Sequence, residues 1–233
     1  MCCLTIVKTF NHKIVMTHNR DELLSRQTEG DCVREYYVNE RKIWMPKDSL
    51  SNGTWIGSDG KRSAAILNGY KKNHHKKESY KVSRGTIIPQ YFAEDTTDSF
   101  LHSFDPTGLE PFTLIISDND VTITEYGWDE NDIHIAMHDL EKPLIYSSYT
   151  LYESEIQVKR QNLFNSFITL KTDKDDLWTL HEKKGEGYGD FINTDYNSKI
   201  RTVAISQIVT GNITEFCYQS LVKNNNKQTL ILI

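Results

Sequence analysis

The pattern that most narrows how this chain can fold is a succession of short β-branched runs, each broken by turn residues. Cys2 to Phe10 and Lys13 to Asn19 are two such runs, and Asn11-His12 between them tolerates turn geometry, so the spacing predicts an opening hairpin. Val33 to Asn39 and Ile43 to Met45 read as two more strands, with Pro46 to Gly53 as a turn-rich loop. Trp55 to Gly57 and Arg62 to Leu67 continue the meander around the turn Ser58-Asp59-Gly60.

Beyond residue 70 the period changes. Lys71 to Lys81 is too polar to be buried and is read as an exposed loop. Ile87, Ile88, Tyr91 and Phe92 form a helical stripe, with Pro89 tolerated in the first turn, and Thr97 to Phe104 extends the helical region. Phe112 to Ser117 and Val121 to Tyr126 form a second hairpin about Asp118-Asn119-Asp120, and Leu144 to Ser147 adds a strand. A long helix is predicted from Leu151 to Leu170, capped by Ser148 or Thr150. Its apolar face is Ile156, Leu163, Phe164, Phe167 and Ile168, and its wet face is Glu153, Lys159 and Arg160. Leu177, Trp178 and Leu180 suggest a short helix; Ile200 to Val209 and Ile213 to Tyr218 are read as the last two strands, and Leu230 to Ile233 as a closing tail. Strands, helices, strands, helices and strands in that order imply an α+β fold of sheets covered by helices, in one domain over residues 1–233 with no internal repeat.

With 27 Lys+Arg against 32 Asp+Glu, the net charge of −5 offers no basic field for a polyanion, so no nucleic acid partner is expected. No apolar run approaches the ~18 residues of a membrane span. The absence of a charged n-region and apolar h-region after Met1, and four cysteines without C-x-x-C spacing, point to a cytoplasmic protein. Asp132, His134, His138 and Asp139 have metal-ligating chemistry, yet the alternating Ile133, Ile135 and Met137 make this segment a strand with outward polar residues, and no metal is expected. The glycines at 185, 187 and 189 do not follow a strand and open a helix, so they form no phosphate cradle.

The chemistry concentrates at the first hairpin. A small residue at position 2 favours loss of the initiator Met, which leaves Cys2 with a free α-amine of pKa about 7.7–8.0, a base beside its own thiol. A turn centred near Asn11 pairs residues whose numbers sum to about 22. That sets Leu4 opposite His18 and Cys2 opposite Arg20, with Asn19, Asp21 and Glu22 alongside. Asp21 can orient the α-amine, and Arg20 can draw the thiol toward thiolate or grip an anionic substrate.

These residues, with Ser25-Arg26, Asn52-Gly53-Thr54-Trp55-Ile56-Gly57, Leu67-Asn68-Gly69-Tyr70, Ser83-Arg84-Gly85, Ser147-Ser148-Tyr149-Thr150-Leu151-Tyr152 and Lys159-Arg160, resemble the NRDE family, the transport and Golgi organisation 2 homologues. That family is similar to N-terminal nucleophile hydrolases of the choloylglycine hydrolase and penicillin V acylase type. The resemblance implies a four-layer αββα sandwich of two antiparallel sheets. It also implies a nucleophilic Cys2, an Asp21 that steadies the α-amine and an Asn68 that contributes to an oxyanion hole. His18, Asn19, Arg20, Glu22, Arg84, Ser148 and Arg201 are the candidate substrate-binding residues. The sequence departs from the hydrolase pattern in three places: His18 stands where an Arg is usual, Ser147 or Ser148 replaces a second Asn, and the late Arg falls at Lys199 or Arg201.

Two readings of function follow. One is hydrolysis or acyl transfer on an amide or thioester of a small molecule, with no cofactor required. The other is a non-catalytic carrier of haem or of acyl-CoA and lipid built on the same fold, as the family's association with their trafficking implies. Met16, His18, Tyr70 and the Tyr36-Tyr37 strand would then wall the cleft. A scaffold with a vestigial site is a third.

Overall fold

A computed structural model describes residues 2–118, 122–150, 154–184, 191–193, 199–222 and 226–232. In chain order the elements are β1 (Cys2–Lys8), β2 (Ile14–Leu23), β3 (Thr28–Val38), β4 (Arg41–Asp48), β5 (Ile56–Ser58), β6 (Arg62–Asn68), α1 (Ile87–Ala93) and α2 (Thr97–Ser103). There follow β7 (Phe112–Asp118), β8 (Thr122–Trp128), β9 (Ile133–Asp139), β10 (Leu144–Ser147), α3 (Ser154–Phe167), α4 (Lys174–Glu182), β11 (Ile200–Thr210), β12 (Thr214–Ser220) and β13 (Lys227–Leu232). The strands form two antiparallel sheets, one of six in the order β10-β1-β2-β11-β12-β13 and one of seven in the order β3-β4-β5-β6-β7-β8-β9.

Because side chains alternate across a strand, each sheet presents two faces, and all four are used. Leu4, Ile6, Met16, Ala204, Ile208 and Phe216 from the first sheet pack against Ile56, Ala65, Leu67, Ile115 and Ile123 from the second, forming the core between the sheets. On the outer face of the seven-stranded sheet, Ile87, Ile88, Tyr91, Phe92 and Phe100 from α1 and α2 pack onto Ala64, Leu114, Ile116 and Tyr126. On the outer face of the six-stranded sheet, Phe164, Leu177 and Leu180 from α3 and α4 pack onto Cys3, Val7, Val15 and Val209. The result is the αββα sandwich.

The opening hairpin has the register set by its turn, with Ile6 opposite Met16, Leu4 opposite His18 and Cys2 opposite Arg20. β2 is flanked by β1 as far as Arg20 and runs on through Asp21-Glu22 to Leu23 because β11 continues to pair with it on the other side. The polar quartet from Asn19 to Glu22 therefore lies inside a central strand.

Several local expectations are corrected. Residues 46–48 belong to β4, where Pro46 sits opposite Val33 in the ladder with β3, so the loop begins later than read. The helical region from Ile87 is two helices, since Glu94 leaves helical geometry and Thr96 caps α2 through the Ser99 N–H. Arg160, assigned to the wet face of α3, is fully buried beside Cys3. β9 is inverted relative to the expectation: Ile133, Ile135 and Met137 face solvent, while His134 stacks on Tyr70 and His138 bonds Glu125. As an edge strand β9 reaches beyond α1 and α2, and its histidines find carboxylates and rings only on the inner side. The closing tail is the edge strand β13, paired along β12. The expected helix start at 151–153 and the segment 185–189 lie outside the described residues.

Among the described residues no helix is long and apolar enough to cross a membrane.

Candidate active site

Cys2 opens β1 at the end of the sandwich where β6 closes with Asn68, and both line a cleft of about 100 Å³ together with Arg20, Glu22, Arg26, Asp48, Trp55 and Arg84. Burial pushes the Cys2 thiol above its usual pKa, and the negative charge of the neighbouring Asp21 adds to the rise. The thiol therefore needs a base before it can act as a nucleophile. Ser148 ties the two sheets together at this point. Its N–H donates to the Cys2 carbonyl at 2.9 Å and its Oγ to the Asn68 carbonyl at 2.9 Å, and the Tyr149 N–H reaches the same Asn68 oxygen at 3.2 Å. Ser148 is thus fully buried and holds Cys2 and Asn68 in fixed relation, touching the site through their backbones.

The opposite wall is organised by Asp48, a residue that sequence reasoning assigned to a loop. Its Oδ1 accepts the Leu50 and Ser51 N–H groups at 2.9 and 2.8 Å, and its Oδ2 accepts Arg20 Nη2 and forms an ion pair with Arg26 Nη2 at 3.0 Å. Arg20 also donates to the Arg26 carbonyl at 2.8 Å, and its guanidinium lies 4.2 Å from the Trp55 ring centroid. Arg26 completes the cluster with Glu22 at 2.9 Å. The loop carrying Arg84 docks on this wall through Gly53 and Gly85, where Thr54 N–H donates to Gly85 O at 2.9 Å. A Cβ on Gly53 would fall 2.6 Å from the Gly85 carbonyl carbon, so glycine is required for the approach. Arg84 is held by Glu110 at 2.9 Å and by the Pro111 carbonyl at 2.9 Å.

Behind β1 lies a buried polar layer. Thr202, which faces Asp21 in the β2–β11 ladder, donates to Asp21 Oδ1 at 2.5 Å and accepts the Asn193 N–H at 2.8 Å. Asn19 donates to the carbonyls of His181 and Phe191 at 3.0 and 2.7 Å, which assigns its Oδ1 as the acceptor of His181 Nδ1–H at 2.8 Å. Thr5 Oγ1 then donates to His181 Nε2 at 2.8 Å. Asn19 therefore clamps α4 to β2 on the face away from the cleft. His18 is fully buried between the sheets, where neither ring nitrogen has a well-formed hydrogen bond, and burial pushes its pKa down to about 3. Arg201 is the ladder partner of Glu22 and stands outside the cleft lining. Cys3 faces the helices, and burial raises its thiol pKa to about 11. Among the described residues no three His, Cys, Asp or Glu side chains gather in a group that can hold a metal ion.

Two antiparallel sheets between helical layers, with a cysteine opening the strand at the cleft, make up the N-terminal nucleophile hydrolase fold. The chain superposes on conjugated bile acid hydrolase from Clostridium perfringens, in its C2A mutant form, with a TM-score of 0.59 at 8% identity, covering 99% of this chain and 92% of that one. Penicillin V acylase from Agrobacterium tumefaciens gives 0.54 at 11% identity, with 99% and 86% covered. At these identities the likeness is one of fold. No curated protein sequence matches the chain. The sequence profile of Transport and Golgi organisation 2 matches residues 1–154, which contain both walls of the cleft, and the chain belongs to that family.

Proposed function

We propose that Cys2 is the nucleophile of an acyl-transfer or hydrolysis reaction on an amide or thioester of a small molecule. The observation that carries this reading is that Cys2, at the head of β1, shares one cleft with Asn68 and the Arg20–Asp48 cluster. Removal of Met1 supplies the missing base. The Cys2 α-amine, with an ordinary pKa near ~7.7–8.0, takes the thiol proton as the sulfur attacks the carbonyl carbon. The carbonyl oxygen becomes an oxyanion, to which the Asn68 side-chain N–H donates. Collapse of the tetrahedral intermediate expels the amine or thiol, which leaves with the proton from the α-ammonium, and Cys2 is left as a thioester. Water, deprotonated by the same α-amine, then releases the acid. Asp21, fixed by Thr202, keeps the α-amine oriented.

Two mass measurements test this reading. The intact mass of the purified protein should lack Met1, and incubation with a short activated thioester should add one acyl group to the peptide that begins at Cys2. Retained Met1, or acylation at Cys32 with Cys2 unmodified, would overturn the assignment.

A further inference from the structure

The hydrogen-bonding capacity left over in the cleft is strongly one-sided. Asp48, its most buried carboxylate, already accepts two hydrogen bonds on Oδ1, and its Oδ2 accepts Arg20 and pairs with Arg26. Glu22 accepts the Leu23 N–H on Oε1 and Arg26 on Oε2, each at 2.9 Å. Glu110, behind Arg84, bonds His74 on one oxygen and Arg84 on the other. The donors are in surplus. Each guanidinium carries five N–H groups, and Arg20, Arg26 and Arg84 use two or three apiece in the contacts that hold them. Trp55, which lines the cleft and is 5% exposed, has an indole N–H with no acceptor. A buried donor without a partner is costly, and a ligand that accepts from it recovers that cost.

Charge agrees with the donor count, since three arginines line the cleft against two carboxylates. Arg20 is fully committed to positioning, buried between Asp48 and the Trp55 ring. Arg26, 30% exposed, and Arg84, 15% exposed, are the arginines that a ligand can reach. Both present the planar fork that suits a carboxylate. The enclosed part of the cleft, about 100 Å³, favours a short spacer between that carboxylate and a carbonyl at Cys2.

We infer that the cleft takes a short amide or thioester that carries a carboxylate, held by Arg84 and Arg26 while its reacting carbonyl faces Cys2. For the reacting end this rests on the function proposed above; for the anion it stands on the cleft's own donors. The test separates the two by using a Cys2→Ala variant, in which no acyl chemistry is possible. Glutarate and its neutral counterpart glutaramide are titrated calorimetrically, with indole fluorescence as a second readout. Saturable glutarate binding is expected, with glutaramide at least tenfold weaker. Arg84→Gln should weaken glutarate at least tenfold. Arg26→Gln, at a more exposed position where folding is less at risk, should weaken it several-fold with an unchanged melting temperature. Equal binding of the two compounds, no glutarate binding, or glutarate binding indifferent to both arginine variants would overturn the inference. Failure of Cys2 to acylate, with glutarate still bound, would instead count against the nucleophile assignment alone.

Discussion

Removing the Asp48 carboxylate would leave Arg20, 4% exposed, as a buried cation without its counter-ion and would release two loop N–H groups at once. Breaking a buried pair from one side typically costs ~3–5 kcal/mol, so Asp48→Ala, which removes both oxygens, is expected to lose about that much in urea denaturation. Glu22→Gln touches the more exposed Arg26 pair and should cost under ~1 kcal/mol. At Asn68 the expected effect is kinetic. In the proposed mechanism Asn68 is the oxyanion donor, whose loss costs ~2.7–4 kcal/mol of barrier, so Asn68→Ala should lower kcat about 100- to 1,000-fold with little change in KM in a turnover assay. The opposition of Cys2 and Arg20 was legible in the sequence because a tight turn fixes hairpin register. Asp48 was not, since it lies 28 residues from Arg20 in a stretch whose local pattern says only turn. Trp55 belonged to a motif whose residue types gave no sign that its indole would end in the cleft.

Among the elements, β2 carries opposite duties on its two faces. Arg20 serves the cleft, whereas Asn19, its neighbour in the same motif, fastens α4 through His181. Asn19→Ala would leave the buried carbonyls of His181 and Phe191 without a donor, at roughly 1–3 kcal/mol for each group left unsatisfied. Hydrogen exchange should quicken in α4 while the β6–β7 ladder stays protected. Gly53→Ala is expected to act on the cleft wall, because its Cβ would meet Gly85 backbone that cannot swing away. Displacement of the Arg84 loop should abolish glutarate binding before it abolishes folding. Element type was readable wherever one face alternates cleanly, as in β1, β7 and the α1 stripe. It failed at the margins for physical reasons. β13 has only one partner strand and exposes every second residue, so its polar half hid it. In β9 the alternation was correct and its direction was not, because period alone does not say which face a neighbouring layer covers. Arg160 followed helical spacing to the wet face, and its burial comes from tertiary packing against the sheet.

At the scale of the whole molecule, the two interior histidines govern the response to acid. His18 is buried between the sheets and His181 between the six-stranded sheet and α4. Burial pushes the folded-state pKa of His18 down to about 3 and that of His181 well below 6.5. Above pH ~6.5 neither the folded nor the unfolded chain protonates these rings, and they add no pH dependence. Below that value the unfolded chain binds up to two protons that the folded chain refuses, so stability falls as pH falls. The slope is about 2.7 kcal/mol per pH unit with both sites engaged, and it persists until the folded state itself takes a proton near pH 3 at His18. The Asp48 carboxylate, desolvated by burial but held below its usual pKa by the Ser51 N–H and the two arginines, adds a further loss as it protonates at still lower pH. Over the ~2.5 units from pH 6.5 to 4 the loss is about 7 kcal/mol, a large part of the ~5–15 kcal/mol total stability of a domain. Urea melts from pH 7 to pH 4 check this: the native protein should lose stability in that window, and His18→Gln should reduce the slope by about half, to ~1.4 kcal/mol per unit. A native slope near zero between pH 6 and 4 would mean that the rings are protonated in the folded state, which their buried positions do not allow.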